Sequence, residues 1–168
     1  MKRSKSSFIS KILSPEALCL IVAATNKRGA KTVFTNGCFD LLHKGHVTYL
    51  EKAKELGDFL VVALNSDESI HKLKGPSRPL TPLADRLEVI AALGSVDFVT
   101  WFEEDTPEEL IQQLQPLVLV KGGDWAVSQI AGSKDVLSRG GKVYSLPYVP
   151  GCSTTEMIAR ARGEKQTG

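Results

Sequence analysis

His43-Lys44-Gly45-His46 places two imidazoles three residues apart around a glycine. The pair stands directly behind Thr32–Leu42, which reads as a strand and a glycine turn. Val33-Phe34 suits a buried strand and Asn36-Gly37 marks its end, while Val47, Tyr49, Leu50 and Ala53 continue with helical spacing. A helix start leaves backbone N–H groups unpaired and carries partial positive charge, so it attracts anions. Gly45 has no Cβ, which lets a phosphate approach the main chain closely. If the helix has begun, His43 and His46 share one face. Their N–H groups can then donate to phosphoryl oxygens, most strongly when charge builds up on a five-coordinate phosphorus. Positioning and charge stabilisation are most of what phosphoryl transfer demands. A lone histidine is usually packed or solvated, and Asp40, His43 and His46 are alternatively metal ligands. Their spacing is not H-E-x-x-H and no nearby cysteine completes a zinc set, so no protein metal site is expected.

Strands and helices alternate along the whole chain. Ser14-Pro15-Glu16 opens a helix that runs to Lys27-Arg28 and stops at Gly29. After the first strand, a helix spans about 45–56. Phe59–Leu64 is a near-continuous apolar run, as in a central parallel strand covered on both faces. A long basic loop, 71–79, follows and reads as a flap. Thr81-Pro82 starts a helix with Leu83, Leu87, Ile90, Ala91 and Leu93 as its apolar face. Arg86 lies off that stripe, pointing to the site or to water. Further strands are expected at 97–101, 117–120 and 142–146. Helices are expected from Thr106-Pro107 to Gln115, over 127–139, and from Gly151–Thr155 to about Arg162. This order is the sequence form of right-handed βαβ units, and predicts one Rossmann-like, doubly wound α/β domain with a five-stranded parallel sheet. The domain is expected over 12–162, between a flexible basic tail, 1–11, and a disordered tail, 163–168.

Parallel strands bring their C-terminal ends to one sheet edge, where open α/β sheets bind ligands. Three such ends carry small, polar turns: Thr35–His46, Lys121–Trp125 and Gly151–Thr155. The last offers hydroxyls and N–H groups at another helix start, although Ser153-Thr154-Thr155 alone would be an ordinary cap. Gly29-Ala30-Lys31-Thr32 lacks the first glycine of a P-loop and precedes a strand instead of following one, and no G-x-G-x-x-G is present.

A chain of 168 residues with 42% hydrophobic and 24% charged residues is that of a soluble globular domain. The net charge of +2 is nearly balanced, and no basic stripe interleaved with aromatics points to nucleic acid. Three widely spaced cysteines without C-x-x-C fit a reducing cytoplasm. No run approaches a membrane span, and Pro15-Glu16 interrupts any signal-peptide core.

The segment TNGCFDLLHKGH resembles the signature of the H-x-G-H nucleotidylyltransferase superfamily, in its cytidylyltransferase-like branch. From Lys31 to about Arg160 the chain is similar to the family of bacterial D-glycero-β-D-manno-heptose 1-phosphate adenylyltransferases, particularly at GCFDLLHKGH, LKGPSRPL, FEEDTPEELI and LVKGGDW. The resemblance implies transfer of AMP from ATP, with Mg²⁺, to a sugar 1-phosphate, giving ADP-heptose and pyrophosphate for the lipopolysaccharide inner core. It implies His43, His46 and Lys74 as catalytic residues. It implies Thr35, Asn36, Gly37, Cys38, Phe39, Asp40 and Gly45 around the nucleotide, with Lys121, Gly122 and Asp124 at base and ribose and Ser153, Thr154 and Thr155 at the phosphates. Many superfamily members carry a basic residue three after the second Thr of the S-T-T motif, where this chain has Ile158, with Arg160 two further on. Lys44, Lys72, Lys74, Arg78 and Arg86 are the possible replacements. Cys38 stands where pyrimidine-specific relatives commonly have Thr. The resemblance further implies a cytoplasmic homodimer with no nucleic-acid partner and no membrane insertion. Two other readings are a CTP-dependent cytidylyltransferase acting on glycerol 3-phosphate or a similar phosphorylated alcohol, and a nucleotide-binding module without catalysis.

Overall fold

Five parallel strands form one sheet in the order β3-β2-β1-β4-β5: β1 (Thr32–Gly37), β2 (Phe59–Asn65), β3 (Phe98–Phe102), β4 (Val118–Gly122) and β5 (Lys142–Leu146). The computed structural model describes residues 8–147 and 149–163. From β1 the chain winds outward to β3, then returns across β1 to β4 and β5. The order therefore reverses between β1 and β4, and a crevice opens beyond the strand ends there.

Side-chain alternation explains why both faces are covered. Val33 of β1 with Leu60, Val62 and Leu64 of β2 faces a core closed by α2 (Lys44–Lys54) and α4 (Leu83–Ala91). Phe34 with Val61 and Ala63 faces the opposite core, closed by α1 (Pro15–Lys27), α5 (Glu108–Leu114) and α6 (Ser133–Ser138). Two more helices, α3 (Asp67–Lys74) and α7 (Thr154–Ala161), start at the strand-end edge. The expected doubly wound α/β domain is the one observed. Among the described residues, no helix is long and apolar enough to cross a membrane.

Three expectations need correction. The loop expected over 71–79 is helical as far as Lys74. Ser66 caps α3 by accepting from Ser69 N–H, Asp67 and Glu68 lie in the first turn, and Ile70 is buried beneath it. One apolar anchor in a polar segment is too little periodicity to betray a helix. The helix expected over 127–139 is a 3-10 turn, Val127–Gln129, followed by α6. Gly132 breaks it with φ 81, and a Cβ there would stand 2.6 Å from Ile111 Cδ1. Part of the tail expected over 1–11 is structured: Ile9–Lys11 forms a 3-10 turn, and Phe8 packs against the core. Lys11 Nζ donates to the carbonyls of Leu93 (3.2 Å) and Val96 (2.7 Å). Residues 1–7 and 164–168, the remainder of the two expected tails, lie outside the described residues.

Candidate active site

The phosphate turn leaves β1 at Gly37 and runs through Cys38, Phe39 and Asp40. Phe39 adopts φ 45, in the left-handed region that non-glycine residues seldom enter. Asp40, expected at the nucleotide, is 5% exposed and its carboxylate is engaged inside the protein. Oδ2 takes Arg78 Nε at 2.6 Å, and Oδ1 takes the N–H groups of Leu80 (2.8 Å) and Thr81 (2.9 Å). Burial alone would raise its pKa, but the Thr81 N–H, Arg78 and the Leu80 N–H outweigh it and hold the carboxyl below the usual range. Asp40 thus ties the segment 78–81 to the turn. Arg86 is neither aimed at the site nor solvated. It is 1% exposed, and its guanidinium donates to three backbone carbonyls and to Asp67.

The helix after the turn begins at Lys44, so His43 is its N-cap. His43 Nδ1 accepts from His46 N–H at 3.4 Å, and the rings stack with centroids 3.8 Å apart and planes at 16°. Accepting at Nδ1 places the proton of a neutral His43 on Nε2. Gly45 is buried at this junction, where a Cβ would meet Cys152 Cβ at 2.9 Å and His43 Nδ1 at 3.0 Å. The glycine therefore lets the start of α7 seat on the start of α2, and Thr154 Oγ1 donates to Leu41 O across that contact. Burial, with the positive charges of His43 and Lys74 adding to it, pushes the His46 pKa down to about 4. Burial also lowers His43, against the pull of the Glu156 carboxylate. Both rings are neutral donors at pH 7. His46 Nδ1 is buried without a hydrogen-bond partner among the described residues, and so is Glu156 Oε2.

The pair opens into a cleft of about 870 Å³ at the strand ends, within the roughly 300–1,000 Å³ of ordinary ligand sites. All the expected site residues line it except Thr35 and Asp124. Thr35 is fully buried, its hydroxyl 2.6 Å from that of Tyr49, so it supports the turn from below. Asp124 is exposed and does not line the cleft. The adjacent Trp125, within the expected Lys121–Trp125 turn but not assigned individually to the nucleotide, lines the cleft with its indole N–H held by Gly122 O at 3.1 Å. Its aromatic type at a strand end was the available signal. Lys121 Nζ reaches Asn36 Oδ1 at 3.2 Å, and burial pushes its pKa down.

Of the basic residues considered to replace the one missing after the S-T-T motif, Lys74 alone lines the cleft. Lys72 pairs with Glu68 at 3.2 Å on the surface, Arg78 is bound to Asp40, Arg86 is buried, and Lys44 is exposed outside the lining. Arg160 is exposed and its Nε donates to Glu156 O, while Ile158 is half-buried.

The sequence profile of the cytidylyltransferase-like family matches residues 34–160. Bifunctional protein HldE of Vibrio parahaemolyticus is 51% identical over 154 residues, covering 92% of this chain and 32% of that protein. Bifunctional protein HldE of Escherichia coli is 52% identical over 155 residues, again 92% of this chain and 32% of that protein. The chain thus spans about a third of the length of these curated relatives. Among solved structures, a lipopolysaccharide core biosynthesis protein from Thermoplasma volcanium is similar at TM-score 0.59 and 27% identity, covering 72% of this chain and 98% of that one. Pantoate-beta-alanine ligase from Francisella tularensis shares the fold, with TM-score 0.58 at 16% identity over 90% of this chain and 76% of that one.

Proposed function

The chain belongs to the cytidylyltransferase-like family, and from that premise we propose that it transfers AMP from ATP to D-glycero-β-D-manno-heptose 1-phosphate, yielding ADP-heptose and pyrophosphate for lipopolysaccharide inner-core synthesis. One observation carries the transferase reading: two stacked, neutral imidazoles at a helix start over the switch-point cleft. The identity to the HldE proteins and the likeness to a lipopolysaccharide core biosynthesis protein support the sugar.

The reaction is a direct displacement. A phosphate oxygen of the sugar 1-phosphate forms a bond to the α-phosphorus, and the bond from that phosphorus to the bridging oxygen breaks. Pyrophosphate leaves with the electron pair. The monoester is already anionic at neutral pH, so neither a general base nor a covalent intermediate is required. His43 and His46 donate to phosphate oxygens as negative charge grows, joined by main-chain N–H groups of Gly37–Phe39 and of the Ser153–Thr155 turn. Lys74 supplies positive charge along the leaving group. Among the described residues, no group of three or more His, Cys, Asp or Glu is arranged to hold a metal ion. Mg²⁺ bound to the triphosphate, as MgATP, would offset its charge. The reading includes a homodimer in the cytoplasm; Cys19, Cys38 and Cys152 are all free, as a reducing compartment would leave them.

Pyrophosphate release with Mg²⁺ present, measured for ATP and CTP against heptose 1-phosphate and glycerol 3-phosphate, tests the assignment. Release with ATP and the heptose is expected. Turnover with CTP and glycerol 3-phosphate alone would reject it in favour of the cytidylyltransferase reading that the family description carries. Tight nucleotide binding without release across the matrix would favour a non-catalytic module.

A further inference from the structure

Arg86 is a fully buried cation that the displacement above does not use. Its planar fork reaches four acceptors on different segments. Nε donates to Thr81 O (2.9 Å), Nη1 to Cys38 O (2.7 Å), and Nη2 to Asn65 O (3.0 Å) and to Asp67 Oδ1 (2.6 Å). The bond to Cys38 bears on the chemistry. In a trans peptide the N–H points opposite to the C=O. With the Cys38 carbonyl drawn inward to the guanidinium, the Phe39 N–H is turned the other way, toward the cleft that Phe39 lines.

Two observations agree with that orientation. Phe39 N–H donates to no acceptor among the described residues. Phe39 also holds φ 45, a strained conformation that a non-glycine residue keeps only where its surroundings impose it. The surroundings are present: its ring packs against His46 with centroids 5.1 Å apart, and it lies where a Cβ on Gly37 would stand 2.9 Å from its Cε2.

We propose that Arg86 is a positioning residue for adenylyl transfer, holding the Cys38–Phe39 peptide so that the Phe39 N–H meets the reacting phosphate. The proposal rests on the transferase reading and deepens it. If the peptide flipped, a carbonyl oxygen would face the phosphates instead of a donor. Holding it while also bonding Thr81, Asn65 and Asp67 needs several donors in fixed directions. A guanidinium has them and an ammonium does not. Asp67, with its carboxylate 41% exposed, belongs to the same network but does not touch the peptide.

Steady-state kinetics on Arg86→Lys, with MgATP and the sugar 1-phosphate, separate positioning from simple stabilisation. Arg86→Lys is expected to lose roughly 10²–10³ in kcat while the ATP KM stays within about threefold, the signature of a donor felt mainly in the transition state. An unchanged kcat, or a raised KM with kcat intact, would overturn the proposal. Wild-type protein supplies a readout independent of whether Arg86→Lys folds: the Phe39 amide proton should move downfield in NMR spectra on saturation with MgATP. A Phe39 resonance that MgATP leaves in place, while other turn amides shift, also overturns it. If wild-type protein releases no pyrophosphate with any phosphosugar, the functional assignment fails, and the Phe39 shift still decides the peptide's orientation.

Discussion

Asp40 and Arg78, 38 residues apart in the chain, are joined at 2.6 Å in a contact that leaves the aspartate side chain 1% and the arginine side chain 12% exposed. The pair ties the segment before α4 to the phosphate turn, with the Leu80 and Thr81 N–H groups completing the carboxylate's shell. Asp40→Ala leaves a buried guanidinium and two N–H groups unpaired, so urea unfolding should show a loss of about 3–5 kcal/mol. Because the folded-state pKa is depressed, the charged form's contribution is full above the ordinary value of 3.8 and is lost as pH falls through the folded value. Wild type should therefore lose stability in that acid range more steeply than Asp40→Ala.

His46 bears most directly on turnover. Replacing it with Ala removes one donor to the reacting phosphate, and such losses typically cost about 10²–10³ in rate. Pyrophosphate release should fall by that factor, with circular dichroism and thermal midpoint showing the fold retained. Near-full activity would remove His46 from the chemistry.

The same residue predicts a pH dependence of stability. Its pKa falls from 6.5 to about 4 on folding, so between those values the unfolded chain binds more protons than the native one. The contribution is complete above pH 6.5 and is lost as pH drops toward 4. After allowance for partial solvent screening it amounts to about 2 kcal/mol. Urea midpoints across this range should fall in wild type and flatten in His46→Asn.

Gly45→Ala isolates a contact between helices. Alanine would ordinarily favour a helix by about 1 kcal/mol over glycine. Here its Cβ would press on Cys152 Cβ at 2.9 Å and His43 Nδ1 at 3.0 Å. The start of α7 must lift from α2, displacing the Ser153–Thr155 turn from the histidines. Misplacement of about 1 Å costs on the order of 10²-fold, so kcat should fall by that scale without any gain in thermal midpoint.

Much of the architecture was legible because it is local. Phe59–Leu64 reads as a doubly covered strand, Lys142–Leu146 is a strand at the expected bounds, and Ser14-Pro15-Glu16 opens α1 by capping rules that involve only neighbours. Two segments misread for equally physical reasons. The segment Asp67–Lys74 is held by one buried isoleucine and a serine cap, which leaves almost no apolar period. Val127–Arg139 has helical composition, but Gly132 packs against Ile111 of α5, a partner its own window cannot reveal.

Sequence alone determined the alternation of strands and helices and the placing of two imidazoles at a helix start, since each follows from neighbours within one or two turns of chain. Tertiary structure decided what those groups meet. Arg86 finds Cys38, Asn65 and Asp67 at separations of 48, 21 and 19 residues, and Asp40 turns inward to Arg78. Trp125 faces the cleft and Asp124 does not. A charged side chain's partner depends on which distant carbonyls and carboxylates the finished fold brings within about 3 Å, and hydrophobic periodicity carries no record of that.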